Sequence, residues 1–225
     1  HIDTAQMYDN EREVGEGLHA SGVGRDEVFV TTKVWTTHFA PNDLERSVKE
    51  SLKQLRLAQI DLVLLHWPNP RIPLAETLGA LANVRRLGMA RHIGISNFTV
   101  ALIEQAVALC PEPLVCDQVE YHPYLDQAKV LEACRHHDMA LVAYSPVAKG
   151  RIKNDDTLTR IGATYGKTPA QVSLRWLVQQ NVAAIPRTAR IERLSENIDI
   201  FDFALTDDEM TQISAMGSAK GRLTD

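Results

Sequence analysis

Four ionisable side chains of four different kinds stand at the ends of three apolar runs. Asp3 and Tyr8 lie at the end of the opening run His1-Ile2-Asp3-Thr4-Ala5. Lys33 closes Val28-Phe29-Val30-Thr31-Thr32, and His66 closes Asp61-Leu62-Val63-Leu64-Leu65. Parallel strands that end on one face of a barrel bring distant residues to a shared mouth. An acid, a phenol, an amine and an imidazole gathered there make a proton-transfer site. Taken singly, a polar residue at a strand end is a loop cap. The four types at consecutive strand ends are what points to chemistry.

Hydride added to a carbonyl carbon leaves negative charge on oxygen, which a donor must protonate. A phenol with its ordinary pKa of ~10 exchanges protons poorly near neutrality, and a neighbouring ammonium favours its ionised form. Tyr8 beside Lys33 suits those roles, with Asp3 holding the ammonium and His66 giving a hydrogen bond to the substrate oxygen. A competing reading is a lyase that uses Lys33 as a Schiff-base amine, with Tyr8 and His66 as acid–base groups.

The second half of the chain bears on the choice. Arg187, Thr188, Arg190 and Arg193 cluster after the last apolar run and at the start of the next helix. Barrel enzymes bind phosphate at such loops, and arginines with a hydroxyl suit a phosphate through charge-assisted hydrogen bonds. The plain alternative is a solvated helix face. Tyr144 closes the run Ala140–Ser145 and offers a ring for stacking. Ser96, Asn97 and Gln118 close or lie in two neighbouring runs, and their amides and hydroxyl suit a carboxamide. Each taken alone is more often a strand-end turn residue.

The elements that must position these groups alternate without a break. After the opening strand, Glu11 to Ala20 reads as a helix, followed by the strand Val28–Thr32. Asn42 to Leu55 is helical with Leu44, Val48, Leu52 and Leu55 on one face, and Asn42 with Glu45 has the spacing of a capping box. The strand Asp61–His66, a helix from Leu74 to Leu87 and the strand His92–Ser96 follow. A helix faces inward through Leu102, Ile103, Ala106 and Val107. Then come the strand Leu114–Glu120, the helix Asp126–His137 and the strand Ala140–Ser145. One helix spans Asp155 to Tyr165, and another starts at Thr168-Pro169 with Gln171 completing a capping box. Val182–Pro186 is the last strand, Glu192 to Asn197 is helical, and Thr206-Asp207-Asp208-Glu209 caps a final helix.

Unbroken βαβα order predicts a parallel sheet covered by helices. Seven strands at these intervals suit a (β/α)8 barrel lacking one unit before His1. A doubly wound sheet is the rival architecture, favoured by a phosphate-cradling glycine loop after its first strand. Gly15-Glu16-Gly17-Leu18-His19-Ala20 fits that string but falls inside a helix and follows a polar stretch, so it reads as chance.

The chain has 225 residues, 44% of them hydrophobic and 24% charged, an ordinary globular composition. A net charge of −5 and the absence of a basic stripe argue against a nucleic-acid partner. No apolar run reaches the ~18 residues that a membrane-spanning helix needs. Cys110, Cys116 and Cys134 lack paired spacing and suggest free thiols in a reducing cytoplasm. Cys134-Arg135-His136-His137 hints at a metal site, but basic groups suit a helix C-terminus better. The first residue is not Met, and Asp3 already belongs to a strand that matters, so the sequence reads as beginning inside a longer protein.

Several motifs resemble one family. They are Asp3-Thr4-Ala5-Gln6-Met7-Tyr8, Thr32-Lys33-Val34-Trp35, Leu65-His66-Trp67-Pro68, Gly94-Ile95-Ser96-Asn97-Phe98, Gln118-Val119-Glu120-Tyr121-His122-Pro123 and Ile185-Pro186-Arg187-Thr188. Along its whole length the chain is similar to the aldo-keto reductases, most of all the bacterial 2,5-diketogluconate and methylglyoxal reductases. The resemblance implies an eight-stranded barrel that binds NADPH, with Asp3, Tyr8, Lys33 and His66 as a catalytic tetrad and Tyr8 as the acid. It implies Ser96, Asn97 and Gln118 as nicotinamide-amide ligands, Tyr144 as the stacking ring, and Ser145 and Val147 on the pyrophosphate side. It assigns Arg187, Thr188 and Arg193 to the 2′-phosphate pocket and Glu196 and Asn197 to adenine. Arg187 stands where the family usually has Lys, and it keeps the charge.

The family's opening hairpin and first β–α unit have no counterpart here, and its tail normally runs past Asp225. The expectation is therefore one barrel domain over 1–225, incomplete at both ends. The short loop Ser145–Gly150 predicts a loosely clamped cofactor. Trp35 and Trp67, each following a tetrad residue, are expected to flank a small dicarbonyl or keto-sugar such as 2,5-diketo-D-gluconate. Family analogy suggests a monomer. A non-catalytic NADPH-binding relative is a further alternative.

Overall fold

A computed structural model describes residues 1–224. Within them seven parallel strands form one sheet in sequential order. They are β1 (Ile2–Asp3), β2 (Val30–Val34), β3 (Ile60–Leu65), β4 (Ala90–Ser96), β5 (Leu114–Glu120), β6 (Ala140–Tyr144) and β7 (Ala183–Ile185). The α-helices are α1 (Glu11–Ser21), α2 (Pro41–Leu55), α3 (Leu74–Arg86), α4 (Val100–Leu109), α5 (Ala128–His136), α6 (Asp156–Tyr165), α7 (Pro169–Gln179), α8 (Glu192–Ile198) and α9 (Asp207–Ser214).

The chain divides into two compact units, His1–Asp117 with Ala133–Met139, and Gln118–Glu132 with Ala140–Asp225. In the first, β3 is buried at all six positions, as a strand covered on both faces must be. Its neighbours pair with it in parallel, Lys33 of β2 opposite Leu64 and Gly94 of β4 opposite the same residue. Helix α2 buries Leu44, Val48, Ser51 and Leu55. Burying each of the three apolar side chains contributes roughly 2 kcal/mol. In the second unit, β6 and β7 pair through Val142, Ala143 and Tyr144. Thr168 and Thr206 cap α7 and α9 with reciprocal bonds from Gln171 and Glu209, as their spacing predicts.

The structure differs from the sequence expectations in several places. The first strand is only two residues long, and Tyr8 sits not at its end but on a single 3-10 turn, Gln6–Tyr8. The second strand is shifted two residues toward the C-terminus, because Arg25–Glu27 forms a turn that takes Val28 as its cap. Lys33 therefore lies within β2. Asn42 and Glu45 do not cap α2. Pro41, whose φ is already helical, starts the helix one residue earlier after Ala40, and Glu45 instead accepts a hydrogen bond from Asn83 at 3.3 Å. Ser51 rather than Leu52 is fully buried in α2, and α4 buries Ile103 and Ala106 but leaves Val107 exposed.

Gly15-Glu16-Gly17 lies inside α1, as its polar surroundings imply. A side chain at Gly15 would stand 2.7 Å from the Gln54 carbonyl oxygen, so the glycine permits close packing of α1 on α2. Cys134 and His136 lie in the last turn of α5, and no group of three metal-ligating side chains occurs among the described residues. No helix among them is long and apolar enough to cross a membrane.

Candidate active site

β1 ends at Asp3 and pairs with β2, which carries Lys33 two residues beyond the partner of Asp3. The Lys33 side chain is fully buried. Its Nζ donates to the Asp3 carboxylate and, at 2.9 Å, to the Thr4 carbonyl oxygen. A buried amine needs such partners to stay charged.

Beyond β1 the chain turns through Ala5 and the 3-10 turn, closed by the Tyr8 amide donating to the Ala5 carbonyl at 3.0 Å. Asp9 follows in the left-handed region at φ 52°, which a short polar residue tolerates. Two hydrogen bonds fix this turn. Thr4 Oγ1 donates to Asn10 Oδ1 at 2.7 Å, and the Gln6 side chain accepts from the Trp35 amide at 3.0 Å. Gln6 also donates to Ser51 at 3.1 Å. The turn leaves Tyr8 half exposed, with its ring centroid 5.1 Å from Lys33 Nζ.

His66 follows β3, where its amide donates to the Val34 carbonyl at 3.1 Å and continues the ladder. Its ring meets Tyr8 edge-on with centroids 5.6 Å apart, and meets Trp35 at 5.3 Å. Burial, and secondarily the charge of Lys33, pull the His66 pKa down to about 4. The imidazole is neutral at neutral pH and has one N–H to give. All four residues picked from the sequence therefore come together within one compact unit.

Ser96 ends β4 and is buried, and Asn97 follows at φ 65°. Asn97 Nδ2 donates to the His66 carbonyl at 3.0 Å and to Ser96 Oγ at 3.1 Å. The amide-bearing turn is thereby tied to the strand end that carries the imidazole. Nothing in the sequence announced that link, nor the bridging role of Gln6, which sits inside the Asp3–Tyr8 motif.

Trp35 and Trp67 are half-buried. A cavity of about 490 Å³ opens beside the residues that follow them, lined by Thr36, Thr37, Pro68, Asn69, Arg71 and Ile72. Neither tryptophan lines it. Asn69 holds the two segments together by donating to the Thr36 carbonyl at 3.0 Å.

In the other unit, Gln118 is buried in β5 and Tyr144 ends β6, its carbonyl accepting from the Tyr121 amide at 3.2 Å. Ser145 turns at φ 50°, Val147 is half-buried, and Ser173 of α7 pins the loop by donating to the Pro146 carbonyl at 2.6 Å. After β7, Thr188 Oγ1 accepts from the Arg190 amide at 3.1 Å. Arg187, Arg190 and Arg193 are exposed, and none has an ion pair among the described residues. Such a donor set fits a phosphate. Glu196 is held by Thr168, which donates to it at 2.8 Å, and Asn197 beside it is half-buried.

Comparison with known proteins places the chain in a family. The family model described as aldo/keto reductase matches residues 1–217. An aldo-keto reductase of Mycobacterium avium is 40% identical over 216 residues, covering 96% of this chain and 76% of that protein. Methylglyoxal reductase DkgB of Salmonella typhimurium is 38% identical over 218 residues, covering 96% and 82%. The crystal structure of a protein provisionally designated 2,5-diketo-D-gluconic acid reductase B superposes with a TM-score of 0.98 at 50% identity, over 100% of this chain and 80% of that one. A Bombyx mori aldo-keto reductase in complex with NADP gives a TM-score of 0.92 at 36% identity, over 99% and 79%. The α/β-barrel class expected from the order of elements is the class of this shared fold. The chain belongs to the aldo/keto reductase family and is an oxidoreductase.

Proposed function

We propose that this protein reduces small aldehydes and ketones with NADPH, using Tyr8 as the proton donor to the carbonyl oxygen. The observation that carries the reading is one cluster: an exposed phenol whose ring lies 5.1 Å from a buried ammonium and edge-on to a neutral imidazole.

When bound, NADPH supplies the hydride. Ser96, Asn97 and Gln118 would hold its carboxamide, Tyr144 its nicotinamide face, and Ser145 and Val147 the pyrophosphate side. Arg187, Thr188 and Arg193 would take the 2′-phosphate, and Glu196 and Asn197 the adenine. The fit rests on the three unpaired arginines, whose charge no carboxylate of the described residues neutralises.

The protein's own residues do the rest. Tyr8 gives its proton to the carbonyl oxygen as negative charge builds there. The ammonium of Lys33 stabilises the phenolate that remains, and Asp3 and the Thr4 carbonyl keep that ammonium aimed. The neutral His66 donates to the same oxygen and orients it. Lys33 donates to a carboxylate and a carbonyl oxygen and so is held as an ammonium, which supports this role over that of a Schiff-base amine, since a nucleophilic amine needs a free lone pair. The cavity beside Thr36 and Asn69 suits the remainder of a small dicarbonyl or keto-sugar. The family match spans both compact units, which supports reading them as one catalytic domain.

The test is to incubate the purified protein with NADPH and methylglyoxal, follow nicotinamide absorbance, and treat a parallel sample with borohydride. Loss of one NADPH per carbonyl reduced, with no adduct on Lys33, is expected. A trapped imine on Lys33, or no NADPH oxidation with any small aldehyde or dicarbonyl, would overturn the reading.

A further inference from the structure

One buried acid near the site takes no part in the chemistry above. Asp117 lies on β5 with no exposed surface. Its Oδ1 accepts from the Phe98 amide at 3.4 Å, and Oδ2 has no hydrogen-bond partner among the described residues. No cation pairs with it there. The titratable groups within electrostatic reach of it are the thiols of Cys116, its neighbour on β5, and Cys134 of α5. Burial pushes both thiols up, Cys134 to about 12, so they stay neutral. Lys33 and Asp3, the charged groups next in reach of Cys116, are engaged with each other. A carboxylate so placed has nothing to replace its lost hydration.

The amide that Asp117 grips is the one that follows Asn97. Asn97 stands in the left-handed region at φ 65°, an uncommon conformation for a residue with a side chain. Phe98 is itself buried, so its amide has no water to turn to. The contact thus fixes the direction in which the chain leaves the Ser96-Asn97 pair.

We propose that Asp117 is a positioning residue for cofactor binding: from its buried place on β5 its carboxyl anchors the Phe98 amide and so sets the turn that presents Ser96 and Asn97 to the carboxamide of the nicotinamide. This rests on the reading of Ser96 and Asn97 as carboxamide ligands. Burial raises the Asp117 pKa to about 8, against a smaller opposing pull from the Phe98 amide. Below that pH the group is uncharged and the turn is held. Above it, an unpaired buried anion draws in water and loosens the turn.

The experiment is to measure the NADPH dissociation constant by protein fluorescence from pH 6.5 to 9.5 in the wild type, Asp117→Asn, Asp117→Ala and Asn97→Ala. Asn97→Ala is expected to weaken binding about tenfold at every pH, the scale of one ordinary hydrogen bond. The wild type weakens severalfold between pH 7 and 9.5. Asp117→Asn, neutral throughout, stays tight and flat, whereas Asp117→Ala is weak at all pH. If Asn97→Ala binds like the wild type, the assignment of the carboxamide ligands fails. If Asn97→Ala is impaired but the wild-type curve is flat, or Asp117→Asn falls in parallel with it, the role of Asp117 alone is overturned. Should Asp117→Ala not fold, the comparison of the wild type with Asp117→Asn decides.

Discussion

At the scale of single residues, the candidate site is marked by contrast of environment. Lys33 is buried, and its Nζ donates hydrogen bonds to the Asp3 carboxylate and the Thr4 carbonyl oxygen. His66 is buried beside that charge and stays neutral. Its depressed pKa means that the unfolded chain binds a proton the folded chain refuses between about 4 and 6.5. Stability from this group is therefore full above 6.5 and lost as pH falls toward 4, by about 3 kcal/mol. Asp117 acts in the opposite sense, since a raised carboxyl pKa removes stability as pH rises from about 4 to 8. Urea unfolding of His66→Asn and Asp117→Asn should show these slopes separately: the first loses less than the wild type on acidification, the second less on alkalinisation. Parallel curves for all three proteins would contradict both environments.

At the scale of elements, the helices and turns explain which sequence signals were informative. The capping boxes at Thr168 and Thr206 are real because no better start lies upstream, whereas Pro41 overrode the Asn42 box. The glycine string in α1 reports packing. Gly15→Ala would press a methyl against the Gln54 and Leu55 backbone at 2.7 Å and should destabilise by roughly 1–3 kcal/mol. Gly17 faces open space, so Gly17→Ala should stabilise by about 0.5–1 kcal/mol. Thermal unfolding checks the pair, and equal effects would refute the packing argument. In the loop after β7, Arg187→Ala or Arg193→Ala should weaken NADPH at least about tenfold while leaving NADH nearly unchanged, because only the former carries the 2′-phosphate. Equal losses in a binding titration would mean that these arginines do not read that group.

At the scale of the whole molecule, strand order was legible because each buried parallel strand is an apolar run with a turn at its end. β3 and β5 match their expected ranges within a residue. The four candidate residues were legible because they sit at or near those ends. What the sequence hid are contacts between side chain and backbone: Asn97 on the His66 carbonyl, Gln6 on the Trp35 amide, Asp117 on the Phe98 amide. These depend on turn conformations, such as φ 65° at Asn97, that no periodicity encodes. The expected flanking role of Trp35 and Trp67 was not legible in the same way, because the cavity is bordered by Thr36, Asn69 and Arg71, residues that follow the two tryptophans in sequence.

The claim on which the rest depends is that the Tyr8 hydroxyl delivers the proton. Steady-state reduction of methylglyoxal by Tyr8→Phe, with NADPH binding followed alongside, tests it most directly. The account predicts a loss of about 10²–10⁴-fold in kcat/KM with NADPH still bound nearly as tightly as by the wild type. Turnover at the wild-type rate would contradict it.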